Sequence, residues 1–298
     1  MAISSARMLV APPTRTPLPY GLLNAAQPQE DADARWALGV RFQPVPCGPA
    51  GVSLEPCPSV TGGPTLAPTA FGMETRGASS FTVYGFIDCS TVGYIEEAAQ
   101  LATAMLTSGE GRAVEREFWT GEFGTMPHLA EDTAVTGTDG TIEQSAATVV
   151  TGAPLDVVEG LGLLEESLAF CYGNEGVIHV TARTLTHLTN RNLVTKDGAR
   201  LRTPNGHLIA AGSGYPGTSP AGAAPAGGEA WMYATGAVSV RRSGIVVPSP
   251  QQVQVINRLK NDVVQIAYRT YVIGWDCCHF AALVRLGGEI TGSVGVPT

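Results

Sequence analysis

Residues 276–279, Asp276-Cys277-Cys278-His279, bring an acid, two thiols and an imidazole side by side. A thiol becomes a nucleophile when an imidazole within hydrogen-bond reach takes its proton and the sulfur is partly exposed. Adjacency does not supply that geometry, because neighbouring residues on a strand point to opposite faces. The expectation here is a pair of small buried thiols at a strand turn, with a cytosolic thiol hydrolase using Cys277 or Cys278 and His279 as the enzymatic alternative. The other cysteines are Cys47, Cys57, Cys89 and Cys171, and no C-x-x-C pair occurs. A zinc ribbon or thioredoxin-type site is therefore unsupported. Free, mostly buried thiols in a reducing compartment are expected. A bridge between Cys47 and Cys57 across a hairpin is the alternative.

Gly212-Ser213-Gly214-Tyr215-Pro216-Gly217 matches G-x-G-x-x-G after a strand. That motif binds a pyrophosphate only when a helix N-terminus opens directly after it. Thr218 to Gly228 is too rich in proline and glycine to be that helix, so the stretch reads as a flexible loop. The five histidines, at 128, 179, 187, 207 and 279, form no H-x-x-x-H or H-E-x-x-H. His179 lies in an apolar strand and reads as a satisfied core residue. Glu165-Glu166 reads as a solvated helix face. No catalytic, cofactor-binding or metal-ligating residue is assigned, and no enzyme is expected.

The elements that carry these residues are numerous and broken. Thirty-six glycines and 21 prolines in 298 residues imply turns and extended arms rather than a bundle. The first ~35 residues, with Pro12, Pro13, Pro17 and Pro19, read as an arm that orders only by lying on something. Trp36, Leu38, Val40 and Phe42 alternate as a half-buried strand does, and a long irregular hairpin follows to about Ser79. Tyr94 to Trp119 carries an apolar stripe at helical spacing, with Gly109 and Gly111 as a site for a kink. Leu155 to Tyr172 is a second amphipathic helix. Strands are expected at Val177–Val180, His207–Ala211, Trp231–Ala234, Val238–Arg241 and Ile245–Val247, with a short helix near Arg183 to Asn190. Lys196-Asp197-Gly198 marks a hairpin turn. Val263 to Leu286 reads as two antiparallel strands turning near Asp276.

Charge bounds the partners. Charged residues are 15% of the chain, against about 25% in ordinary domains. That leanness fits a surface buried against sister copies, and equally a Gly/Ala/Thr-rich composition. The net charge of −8 disfavours a phosphate-neutralising nucleic-acid binder. Between residues 88 and 175 there are sixteen acidic and two basic residues; from 176 onward, eleven basic and five acidic. These opposite surfaces can meet between copies or within one. No stretch approaches the ~20 apolar residues that span a bilayer, and Met1 to Val10 has no secretory pattern. A soluble protein made in a cytoplasm is expected.

The order of these elements resembles the Hong Kong 97 fold of tailed-phage major capsid proteins. The run Ala113-Val114-Glu115-Arg116-Glu117-Phe118-Trp119-Thr120-Gly121 is similar to the end of that family's spine helix. Gly176-Val177-Ile178-His179-Val180 with Leu193 to Leu208 resembles its axial-domain strand and hairpin. Trp231-Met232-Tyr233-Ala234-Thr235-Gly236 and Val263 to Leu286 resemble its last strands. Pro19-Tyr20-Gly21-Leu22-Leu23 looks like the arm of capsid-region proteins from actinobacterial phages. The resemblance implies an α+β fold divided into an N-terminal arm (1–35), an extended loop (36–80), a peripheral domain (81–150) with its spine helix at 92–119, an axial domain (151–250) with a mixed sheet, and C-terminal strands (251–298). It implies hexamers and pentamers of an icosahedral shell around double-stranded DNA that is enclosed without sequence-specific contacts. Separate scaffolding, portal or decoration proteins would be partners, no cofactor is expected, and the location would be the virion, assembled in the host cytoplasm. The assembly contacts expected are Trp36, Val40, Phe42, Val52, Leu54, Arg112, Arg116 and Tyr215, the last on a mobile loop. Some members weld their shells through a lysine of the extended loop. The lysines here are Lys196 and Lys260, so no such bond is expected. A connector or tail-tube subunit, or an encapsulin-type shell, is the structural alternative.

Overall fold

The computed structural model describes residues 13, 15–30, 34–45, 47, 74–90, 98–248, 256–257 and 262–287. Val52, Leu54 and Cys57 lie outside them, as does most of the expected extended loop.

The chain opens with α1 (Leu22–Ala26), β1 (Gln29–Glu30), a 3-10 turn (Ala34–Leu38) and β2 (Val40–Phe42). Next come β3 (Arg76–Ala78), β4 (Ser80–Ser90) and α2 (Ala98–Thr120). Four short strands follow, β5 (Val135–Thr136), β6 (Ile142–Gln144), β7 (Thr148–Val149) and β8 (Leu155–Asp156), leading into α3 (Val157–Cys171). The rest is β9 (Val177–Thr181), α4 (Ala182–Asn190), β10 (Thr195–Asp197), β11 (Arg200–Arg202), β12 (Leu208–Gly212), β13 (Glu229–Thr235), β14 (Val238–Arg242), β15 (Ile256–Asn257), β16 (Asp262–Trp275) and β17 (His279–Arg285).

Three sheets result. The first runs β1-β14-β16-β15, with β4 along the other side of β16. The second runs β10-β11-β12-β9-β13-β17-β7, with β8 also on β17. A small third sheet, β2-β3-β6-β5, gathers the front of the chain and the segment after α2.

Helix α2 lies on the first sheet. Its buried residues Ala102, Leu106, Val114, Phe118 and Trp119 pack with Val83, Tyr271, Ile273 and Trp275. The approach is close because residue 85 is glycine: a Cβ there would stand 2.5 Å from the Ala102 carbonyl oxygen. The end of α2 also reaches the second sheet, where Trp119 meets Tyr233 edge-on at 4.8 Å. Helices α3 and α4 cover that sheet's other face. Leu161, Leu164, Leu168 and Leu188 pack there on Ile178, Ile209, Met232 and Val284. Each of these helices has a side-chain cap. Asp156 accepts from the Val158 N–H at 2.9 Å, and the Thr181 hydroxyl accepts from the Thr184 N–H at 3.1 Å.

Several expectations change. Trp36 and Leu38 sit in a 3-10 turn, and only 40–42 is strand. The alternation there reflects one buried tryptophan, packed on Ala78 and Val272, rather than a pleat. The arm carries a short helix, and Leu22 is wholly buried in the chain's own core. Burying one leucine stabilises by about 1.5–3 kcal/mol, so residues 21–26 are held without a neighbour. Within its described range α2 runs unbroken through Gly109 and Gly111. Ile245–Val247 gives only an isolated bridge, Val246 to Tyr268. Most consequentially, β16 and β17 do not pair with each other. β16 pairs with β4 and β14 in the first sheet, and β17 with β13 in the second. The turn at 276–278 is a corner between two sheets.

The cysteines at that corner are not free. Cys277 is bonded to Cys47 and Cys278 to Cys171, with Cα separations of 6.1 Å and 6.2 Å. This differs from the free thiols that the sequence leads one to expect, and Cys47 is joined to Cys277 rather than to Cys57. The preference for free thiols rested on compartment, a signal that says nothing of which sulfurs the fold brings together.

Candidate functional site

The groups that sequence singled out for chemistry are used for structure. With Cys277 and Cys278 in disulfides, the thiol–imidazole arrangement has no nucleophile there. His279 is buried, and its Nδ1 is 2.9 Å from the Ser145 carbonyl, to which it donates. Burial is the main cause that lowers its pKa to about 4. His179 is completely buried between the Tyr215 hydroxyl (3.2 Å) and the Thr235 hydroxyl (3.1 Å). Burial first, then the nearby His279, lowers its pKa to about 3. Both rings are neutral at ordinary pH and serve as core polar groups. No helix opens after Gly212–Gly217. Among the described residues, no cluster of three or more His, Cys, Asp or Glu could hold a metal ion. None of the described helices is long and apolar enough to cross a membrane.

Helix α2 holds the arm, two loops and a central strand, and it does so through three buried or half-buried acids that sequence reasoning passed over. Glu115 accepts from the Leu22 N–H at 3.1 Å with one oxygen. With the other it accepts from the Gly214 N–H at 3.0 Å and the Ser213 hydroxyl at 3.2 Å. Burial raises its pKa, and the Gly214 and Leu22 N–H groups oppose that rise. Glu117 accepts from the N–H groups of Phe123 and Thr125 at 3.2 and 3.3 Å. Glu110 takes both a guanidinium N–H of Arg269, at 3.1 Å, and the Tyr271 hydroxyl, at 2.8 Å. Arm, loop and central strand are thus tied to one helix. Acids on a helix ordinarily read as its wet face, so no sequence signal marked them.

The expected assembly residues divide. Trp36 is buried in a small cluster with Ala78 and Val272, and Val40 packs against it. Phe42 is half-buried, close to Gly274. Tyr215 is buried at 6% exposure and packs at a tilt against Trp119 at 4.8 Å, so its loop is pinned to α2 at that end. Gly214 permits this, since a Cβ there would stand 2.1 Å from the Arg112 carbonyl. Arg112 and Arg116 are exposed, and Arg116 pairs with Glu122 at 2.9 Å. Glu165, expected in solvent, is buried, and one of its oxygens accepts from Asn205 at 2.7 Å.

No protein-family model matches the chain, and no curated protein matches it. Solved structures do. The capsid of an empty GTA particle aligns over 96% of this chain and 96% of its own, with 12% identity and a TM-score of 0.53. The capsid of the native GTA particle aligns over the same shares with 13% identity and a TM-score of 0.51. The chain has the fold of these capsid chains. A chain of Gordonia phage Cozz covers 97% of this one and 92% of its own, at 10% identity and a TM-score of 0.49. In this capsid fold α2 and the two larger sheets share one core.

Proposed function

We propose that this chain is a major capsid protein that assembles into the hexamers and pentamers of an icosahedral head enclosing double-stranded DNA. The observation that carries the reading is the likeness to a capsid chain over 96% of both lengths. On this reading α2 is the spine of a peripheral domain. The second sheet with α3 and α4 is an axial domain, residues 1–35 are an arm, and residues 36–80 overlap a neighbour. Val40, Phe42, Val52, Leu54, Arg112 and Arg116 remain the proposed contacts. The use of Trp36 and Tyr215 inside the subunit supports a scaffolding role for them rather than a contact. The acidic balance suits a lining that must let packaged DNA leave. The shell would be built in the host cytoplasm and reside in the virion.

Negative-stain microscopy of the full chain expressed alone tests this. Closed polyhedral shells are the expected result. Small monodisperse particles under all conditions would overturn it, and rings or tubes would point to a connector or tail tube instead.

A further inference from the structure

Three separated regions meet at the corner between β16 and β17: the foot of the segment after β2, through Cys47; the last residue of α3, Cys171; and the corner itself. Two features show that the corner is arranged for its sulfurs. First, Cys278 has φ 56°, in the left-handed region where glycine fits without cost. The chain nonetheless carries a side chain at that position, and it is bonded to Cys171. Second, non-covalent bonds hold the partners in place beside the bridge. The Tyr172 hydroxyl donates to Asp276 Oδ2 at 2.7 Å, and Asp276 Oδ1 accepts from the Cys277 N–H at 2.7 Å. The Gly236 N–H donates to the Cys277 carbonyl at 2.7 Å.

We propose that Cys277 and Cys278 form a redox-set clamp, open in a reducing cell interior and closed by a small-molecule disulfide once the folded protein leaves it. For each bridge, one cysteine thiolate attacks the small disulfide. That S–S bond breaks, a mixed disulfide forms and one small thiolate leaves. The second cysteine thiolate then attacks the mixed disulfide and releases the other small thiolate. Two electrons and two protons end on the two small thiols. The closed clamp ties the root of the front segment and the end of α3 to one point, so the body stiffens after folding rather than during it.

The purified full chain is incubated with glutathione disulfide or with reduced glutathione, then alkylated with iodoacetamide and mapped by mass spectrometry, with thermal melting in parallel. Oxidation should remove four of the six cysteines from alkylation, yield peptides joining 47 to 277 and 171 to 278 within one chain, and raise the melting midpoint on the order of 10 °C. Cys278→Gly should melt like the parent when reduced, because glycine suits that backbone, and lose part of the oxidative gain. Cys171→Ser carries the same comparison if the glycine variant does not fold. Equal melting in both redox states, six alkylatable cysteines after oxidation, or linkage between chains would overturn the clamp. This test reads the subunit itself, so a failure of shell formation would leave it unaffected.

Discussion

Glu115 carries the attachment of the arm, and its loss is readable. Alanine there strands the buried N–H groups of Leu22 and Gly214. Each unpaired buried donor costs about 1–3 kcal/mol, so Glu115→Ala should lower urea stability by about 3 kcal/mol. Glutamine, which keeps an acceptor oxygen, should cost less. The histidines give a pH signature. Both have folded pKa values below the ordinary 6.5. The folded state then binds fewer protons than the unfolded chain, so their stabilising share is complete above pH 6.5 and shrinks as pH falls toward about 4. For His279 alone the shift corresponds to roughly 3 kcal/mol. Denaturant titrations from pH 7 to 4 should show stability falling across that window. Phenylalanine at 279 should flatten part of the slope. Glu115 acts in the opposite direction, since its raised pKa makes protonation easier in the fold.

At the scale of elements, the contact of α2 with β4 depends on one missing methyl group. Gly85→Ala should destabilise by about 2 kcal/mol, because the new Cβ meets backbone that cannot step aside. Gly109→Ala, on the same helix with nothing within 4 Å, should instead stabilise by about 0.5–1 kcal/mol. Thermal or urea unfolding of the two variants should move in opposite directions. This pairing also shows what could be read beforehand. The stripe of Ala98, Ala102 and Leu106 announced α2, and the Leu161, Leu164 and Leu168 spacing announced α3, because burial of one face imposes a period. Lys196-Asp197-Gly198 announced the β10–β11 hairpin because only a tight turn needs glycine there. What could not be read was long-range. Alternation in Val263 to Leu286 is the same whether two strands pair or part, so the corner at 276–278 was invisible. The sulfur pairings span 230 and 107 residues and leave no local trace. Trp36 and Tyr215 pack within their own chain, which a lone aromatic in a sequence does not declare.

For the molecule as a whole, the charge division along the sequence is partly settled inside the subunit. Arg269 meets Glu110, Arg202 meets Glu175 and Arg191 meets Asp156, each pair joining the acidic stretch to the basic one. Complementary charge therefore serves folding here, whatever it adds between copies. With lysines only at 196 and 260, assembled particles boiled in detergent and reductant should run as one band near the subunit mass of 30.9 kDa. A ladder resistant to reduction would refute the absence of a lysine weld. The two sulfur bridges have a further consequence for damage. Residues 47, 171, 277 and 278 close two overlapping covalent rings, so a protease cut anywhere between 48 and 276 severs the backbone without releasing a fragment. Even two cuts, one on each side of residue 171, leave three pieces joined, and they separate only when a reductant is added.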